Sequence, residues 1–233
     1  MTTSLPAAAA ELTVLAGGSM TASLKDLGLR FEQASGHKLT IRFAGTPELI
    51  KLATSAPFDL GVVPVDVMKD AAARATFGPT VDVARVGYGV AVRAGAVRPD
   101  IATPAALKAA LLKAQSITLY PESAAGAFVL KTFERLGIAA EMKAKLKAQA
   151  APGDIPKAVA RGDAELGVFL TNVLAGPGVD VVGPFPAELQ NELVFVGAVA
   201  AQSKNAEAAR AFIDYLTSPE AAAVPKAKGM TPG

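Results

Sequence analysis

The fold class follows from residues 12–20, which read LTVLAGGSM. The first five of these residues form a short apolar run of the kind that makes a buried strand. Two glycines and Ser19 come next, and from Met20 apolar residues recur at helical spacing as far as Phe31. A buried strand that turns through glycines into an amphipathic helix is the repeating unit of an α/β protein.

The same alternation of apolar runs and helical patterns continues along the chain. The apolar runs predict strands because they are short and are bounded by turn residues. They cover residues 12–16, 39–43, 60–63, 86–92, 117–120, 166–170, 179–182 and 193–199. The sequence therefore predicts an α/β fold over nearly its whole length.

The two longest predicted strands contain internal glycines. The strand at 86–92 carries Gly87 and Gly89, and the strand at 193–199 carries Gly197. Glycine inside a strand often marks a bend or a close backbone approach, so we interpret both strands as crossovers between two lobes, which together form a hinge. Lobe one is predicted from residues 11–84 plus 196–233 and lobe two from residues 85–195, with a cleft between them.

The composition excludes several classes of protein. Lys and Arg number 23 against 21 Asp and Glu, and 51% of the residues are apolar. The charges are scattered, so we expect no nucleic acid as partner, and we expect a monomer. The chain has no cysteine and a single histidine, His37, which rules out disulfides and Cys/His metal sites. We therefore expect no metal and no other cofactor.

The first ten residues have the composition of the end of a secretory leader. They finish in PAAAA at 6–10 but lack the charged start and the apolar middle of a complete leader. We interpret residues 1–10 as the remnant of a leader or of cloning, with a mature chain that begins near Glu11 and works in the periplasm. No later apolar run approaches the roughly 18 residues that span a bilayer.

Strand-to-helix junctions carry the strongest functional signal in the sequence. In lobe one, Gly18 and Ser19 follow the first strand, and Gly45 and Thr46 follow the second, with Thr46 predicted to cap the next helix. Helix starts carry unpaired N–H groups and a partial positive charge, so small residues there can hold an anion without Lys or Arg.

Lobe two repeats this pattern at two junctions, one at residues 121–126 and one at residues 152–156. Two junctions from each lobe at the carboxyl ends of strands predict an anion site in the cleft. The candidate ligand-binding residues are Gly18, Ser19, Gly45, Thr46, Ser123, Ala124, Ala125, Asp154, Ile155 and Leu170. Small polar residues at helix starts are also common simply as caps, so each junction alone has a purely structural explanation.

No catalytic motif is found. His37 lies in a turn, which favours a surface position over a role as a base. Glu122 and Asp154 flank the predicted site, but a carboxylate at a helix start is more often a cap than a catalyst.

Residues 12–19, 43–46, 121–126 and 212–221 resemble landmarks of the molybdate-type substrate-binding proteins of ABC importers, which are type II solute-binding proteins. The resemblance implies a two-lobed periplasmic-binding-protein fold, a small anionic ligand and a membrane permease as partner. By position it assigns hydroxyl ligands to Ser19 and Thr46 and backbone-amide ligands to Ala125 and Ile155. Leu170 stands where the family has a tyrosine, and Pro64 stands where it has a residue with a usable amide.

Residues 84–87 and 92–96 resemble a branch of this family that is also similar to aconitate isomerase. Two functions therefore stay open, capture of an oxyanion or carboxylate for an ABC importer and isomerisation of a di- or tricarboxylate. For the second, Tyr120, Glu122 or Asp154 would move the proton. A sensor or adhesin with the same fold is a third possibility, since fold does not fix function.

Overall fold

The computed structural model of the protein describes residues 9–233 and confirms the α/β prediction. Each predicted strand is present, and two short strands, β6 and β10, are added. The strands are β1 Glu11–Gly17, β2 Lys38–Ala44, β3 Leu60–Pro64, β4 Val81–Arg93, β5 Ile117–Leu119, β6 Leu146–Ala148, β7 Leu166–Leu170, β8 Val179–Pro184, β9 Glu192–Val199 and β10 Thr231–Pro232. The predicted leader remnant lies almost entirely outside the described residues.

Helices connect most of the strands. They are α1 Thr21–Ser35, α2 Thr46–Ser55, α3 Ala71–Arg74, α4 Pro104–Lys113, α5 Ala124–Arg135, α6 Ala139–Lys145, α7 Asp154–Arg161, α8 Thr171–Leu174, α9 Ala206–Leu216 and α10 Ala223–Ala227. Two 3-10 segments, Gly18–Met20 and Val65–Lys69, follow β1 and β3. The apolar stripe of α1 is buried at Leu24, Leu27 and Phe31, as its helical spacing predicts.

The strands form two lobes that share β4. In the first lobe the order is β2-β1-β3-β9-β4, and in the second it continues as β4-β7-β5-β6. Residues 81–87 of β4 pair with β9, whereas residues 88–93 pair with β7 and β8. One long strand therefore belongs to both lobes, which confirms the crossover predicted for residues 86–92.

The second crossover differs from the sequence-based interpretation. β9 pairs along its length with β3 and with residues 81–87 of β4, so it lies in the first lobe's sheet and does not pass between lobes. The chain returns from β8 through residues 185–191. A central glycine in β9 reflects packing instead, since a Cβ on Gly197 would lie 3.0 Å from Val83 Cγ2. The lobe boundaries at 84/85 and 195/196 stay a prediction.

Strand direction brings the functional junctions together. β1, β2 and β3 are parallel, so the segments after Gly17, Ala44 and Pro64 leave the first sheet at one edge. β5, β6 and β7 are parallel in the second lobe, and their carboxyl ends also share an edge. These two edges meet at the cleft, which is where open α/β sheets bind ligands.

Candidate functional site

A small cavity lies where the two lobes meet, and we call it the central cavity. Its volume is about 20 Å³, room for about one water molecule. Both lobes line it, with residues Gly17, Gly18, Ser19, Ala44, Gly45, Thr46 and Pro64 on one side and Tyr120, Ser123, Ala124, Ala125 and Pro152 on the other, together with Leu193 and Phe195. Seven of the ten predicted ligand-binding residues are in this set.

Ser19, Thr46 and Ala125 each keep a hydrogen-bond donor free for a ligand. Within residues 9–233, the Ser19 hydroxyl and the Ala125 N–H have no hydrogen-bond partner. Thr46 Oγ1 accepts the Ala124 N–H at 3.1 Å, which leaves the hydroxyl proton of Thr46 unused. The wall of the central cavity thus includes these two hydroxyls and this amide, and none of the described residues that line it is charged.

Two other predicted residues use their donors within the protein. Ser123 caps α5, because its Oγ accepts the Gly126 N–H at 3.0 Å and donates to the Tyr120 carbonyl at 3.1 Å. The Ala124 N–H donates across the cleft to Thr46. These two residues therefore shape the site and join the lobes.

The caps in lobe one differ from the predicted ones. Thr46 is the first residue of α2, and Gly45 is its N-cap. Ser19 lies in the 3-10 segment Gly18–Met20, before α1 begins at Thr21. Neither hydroxyl is consumed as a helix cap, which leaves both available to a ligand.

Tyr120 lies directly after β5 and faces Gly45 across the cleft. A Cβ on Gly45 would overlap the Tyr120 hydroxyl and would lie 2.8 Å from the Glu122 carbonyl oxygen. Gly45 has φ −77°, which any residue adopts, so glycine is needed there for space. The two lobes are therefore packed closely here, with the Tyr120 phenol and the Glu122 backbone against the backbone of Gly45.

The Tyr120 ring is half-buried, and its surroundings keep the phenol neutral. Burial, and then the negative charge of Glu122, raise the pKa of Tyr120 above its ordinary value of 10.0. Within residues 9–233 its hydroxyl has no hydrogen-bond partner. The phenol is therefore a protonated donor at the wall of the cavity.

A larger cavity of about 630 Å³ adjoins the central one, and we call it the outer cavity. The two share Gly18, Ser19, Ala44, Gly45, Tyr120 and Pro152. Asp154, which was predicted to bind the ligand, lines the outer cavity but not the central one. Its carboxylate is 3.0 Å from Lys157 Nζ. A third space of about 590 Å³ shares Thr46, Ser123, Ala124 and Leu193 with the central cavity. Its lining includes Glu122, Asp66 and Lys131.

Ile155 and Leu170 are not brought to these cavities. Ile155 is fully buried, and its N–H donates to the Pro152 carbonyl at 3.1 Å. Leu170 ends β7, is fully buried and pairs with Tyr88. Their assignment as ligands stays a prediction, while their observed contacts are those of the protein interior. Pro64 does line the central cavity and has no N–H to offer.

Asn172 was missed by the sequence analysis. It lies in α8, after the carboxyl end of β7, and lines the outer cavity. Its Nδ2 donates to the Ser19 carbonyl at 2.9 Å, so it joins lobe two to the junction after β1. An asparagine just beyond a parallel strand was the available signal, but its partner depends on how the lobes meet.

The described residues contain neither a metal-binding cluster nor a membrane-spanning helix. Across residues 9–233, no group of three or more His, Asp or Glu side chains is arranged to hold a metal ion. His37 is half-buried, and its Nδ1 accepts the Ala10 N–H at 3.0 Å. In the same part of the chain, no helix is both long and apolar enough to cross a membrane.

The fold and the interlobe site are consistent with a solute-binding protein, and the comparison with known families agrees. Residues 12–231 match the family described as bacterial extracellular solute-binding protein, and the chain belongs to this family. The resemblance to the molybdate-type binding proteins is confirmed, as is the similarity to aconitate isomerase.

The chain is similar to several individual proteins of known name. The chain is 34% identical to an aconitate isomerase of Pseudomonas sp. over 232 residues, which cover 95% of this chain and 87% of that protein. It is 30% identical to the molybdate-binding protein ModA of Azotobacter vinelandii, covering 96% and 90% of the two chains. The solved periplasmic molybdate-binding protein of A. vinelandii superimposes with a TM-score of 0.78 at 17% identity, over 95% of this chain and 99% of that one. This last likeness confirms the two-lobed periplasmic-binding-protein fold.

Proposed function

We propose that the protein captures a small anion in the cleft between its lobes and presents it to the membrane permease of an ABC importer. The observation that carries this proposal is the set of free donors around the central cavity, from Ser19, Thr46 and Ala125. Neutral donors around one cavity favour an anion, and the described residues that line this cavity include no cation that would hold the anion too tightly for release.

The donors supply a large part of the free energy that binding needs. A hydrogen bond to a charged group contributes roughly 1.5–3 kcal/mol, so three or four such bonds contribute about 4.5–12 kcal/mol. Micromolar binding needs about 8 kcal/mol beyond association costs of about 4–15 kcal/mol, so contacts with the apolar walls of the cleft must supply the rest.

Closure of the lobes over the anion would give the permease two states to distinguish. Ala124 to Thr46 and Asn172 to Ser19 are the hydrogen bonds that support a closed form, because each joins one lobe to the other. We propose a periplasmic location, in keeping with a family of extracellular solute-binding proteins, and a monomeric binding unit.

We expect organic carboxylates to bind more tightly than tetrahedral oxyanions. A tetrahedral oxyanion is larger than the central cavity, whose volume of about 20 Å³ has room for about one water molecule. A carboxylate can insert one oxygen there and extend its carbon chain into the outer cavity of about 630 Å³. Lys157, at the rim of that cavity, could then meet a second carboxylate.

The first experiment is a thermal-shift and calorimetric screen with molybdate, tungstate, sulfate, phosphate, citrate and both aconitates. An anion at about 100 times its dissociation constant adds about 2.7 kcal/mol to the stability of the folded state, which raises Tm by several degrees. We expect carboxylates to give the larger shifts. If none of these anions binds, anion capture is wrong.

A second candidate is an isomerase of a di- or tricarboxylate, favoured by the aconitate isomerase relative and by Tyr120 at the cavity wall. One group would remove a proton from the carbon next to the double bond. The double bond would shift toward that carbon, and a proton would be returned to the carbon at the far end of the original double bond. Conversion of cis- to trans-aconitate that is lost in Glu122→Gln or Asp154→Asn would support it. Binding without any turnover would exclude it for aconitate.

A further inference from the structure

We infer that the Tyr120 hydroxyl is a direct donor to the bound anion, contributed by lobe two opposite the hydroxyls of Ser19 and Thr46. This inference rests on anion capture in the cleft. It adds a ligand-binding residue that makes affinity depend on lobe closure, because Tyr120 reaches the anion only when its loop lies against Gly45.

Geometry provides the first argument. Tyr120 lines both the central and the outer cavity, so its phenol stands at the passage between them. Ser19 and Thr46 of lobe one and Tyr120 of lobe two line the same small cavity, so an anion held by the two hydroxyls would lie beside the phenol.

The unused hydroxyl provides the second argument. The two other tyrosines of the chain are Tyr88 and Tyr215. Tyr88 is buried between the rings of Phe128 and Phe185, and Tyr215 packs on Phe31, so both have an evident packing role. Tyr120 has no aromatic neighbour within the described residues and no hydrogen-bond partner there. Its polar end is thus available to a ligand.

Protonation provides a supporting argument. The pKa of Tyr120 is raised by burial and by Glu122, so the phenol stays protonated throughout the physiological range. An anion meets an O–H donor there, without repulsion from a phenolate.

Gly45 provides the last argument. Its missing side chain leaves the space that the Tyr120 hydroxyl occupies. Any larger residue would keep the phenol away from the cavity or the lobes apart. We therefore expect Gly45→Ala to weaken anion binding as well, and to do so through closure.

Tyr120→Phe is the direct test, with Tyr215→Phe as a matched control that removes the same atom outside the cleft. Each variant would be titrated calorimetrically with molybdate and with trans-aconitate. We expect the dissociation constant of the anion that wild type binds to rise roughly ten- to hundredfold in Tyr120→Phe and to stay unchanged in Tyr215→Phe. Tm without ligand should stay close to wild type in Tyr120→Phe, because the hydroxyl has no partner to lose.

A second readout, the near-ultraviolet difference spectrum on binding, reports on the phenols themselves. The chain has no tryptophan and three tyrosines, so its near-ultraviolet absorption reports on the phenols. Binding should perturb that absorption, and Tyr120→Phe should abolish the change while Tyr215→Phe keeps it. If wild type binds and Tyr120→Phe binds equally well, the inference is wrong and anion capture stands; if wild type binds neither molybdate nor trans-aconitate nor any other anion of the screen, anion capture itself fails.

Discussion

Ser19 and Thr46 each place a hydroxyl at the cleft. Neither hydroxyl donates its proton to another group within residues 9–233. We expect Ser19→Ala and Thr46→Ala each to weaken anion binding by about 1–3 kcal/mol, measured by calorimetry. Thr46→Ser is the matched control, because it keeps the hydroxyl that accepts the Ala124 N–H. Unchanged affinity in both alanine variants would remove these residues from the site.

Tyr88 gives a prediction for alkaline pH. Burial, and then the charge of Asp66, raise its pKa above the ordinary 10.0, so the folded protein holds a proton that the unfolded chain releases. The stability due to this difference is complete below about pH 10 and declines as the pH rises further, by at most about 1.4 kcal/mol per pH unit.

Tyr88→Phe removes this titration and keeps the ring that packs on Phe128. We expect the free energy of unfolding of Tyr88→Phe to fall less than that of wild type between about pH 9 and about pH 11, in urea titrations. Equal decreases in the two proteins would mean that Tyr88 contributes nothing to alkaline unfolding.

Single residues also mark the limit of sequence-based prediction of the site. Ser19, Thr46 and Ala125 were predicted because small residues at strand-to-helix junctions are a local signal. Tyr120 and Asn172 are placed by their contacts with residues of the other lobe, Gly45 and Ser19. Such contacts depend on the placement of whole lobes, which no local pattern encodes.

At the level of elements, α5 connects helix capping to the site. Ser123 caps this helix and thereby fixes the first-turn amide of Ala125 at the cavity. Thr103 caps α4 in the same way, because its hydroxyl accepts the Ala106 N–H at 3.1 Å. Thr103 does not line the central cavity, the outer cavity or the third space.

We expect Ser123→Ala and Thr103→Ala each to lower the free energy of unfolding by about 1 kcal/mol in urea titrations. Only Ser123→Ala should also weaken anion binding, because only α5 presents its amides to the anion. A binding defect of equal size in Thr103→Ala would show that general destabilisation, rather than amide position, causes the effect.

The bounds of the strands were predicted accurately where the apolar run was continuous. The bounds of β7 agree with the pattern at 166–170, because all five residues are buried. β4 begins five residues earlier than predicted, at Val81, because Asp82 and Arg85 interrupt its apolar pattern while the backbone still pairs with β9. β6 was missed since its three residues, LKA, are mostly exposed.

At the scale of the whole molecule, β4 should make the two lobes unfold together. It pairs with β9 and β10 in the first lobe and with β7 and β8 in the second, so neither sheet can open fully without disturbing it. We expect coincident urea transitions by far-ultraviolet circular dichroism and by tyrosine fluorescence. Two separated transitions would mean that the lobes are independent cooperative units.

The position of β9 also determines when the first lobe can be completed as the chain is made. This strand lies between β3 and β4, yet residues 192–199 follow the whole of the second lobe's sheet along the chain. The first sheet therefore stays divided, with β3 and β4 unpaired on their facing edges, until residues 192–199 have left the ribosome. A nascent chain of this design keeps its earliest segments open for most of synthesis, and the lobe begun first is finished last.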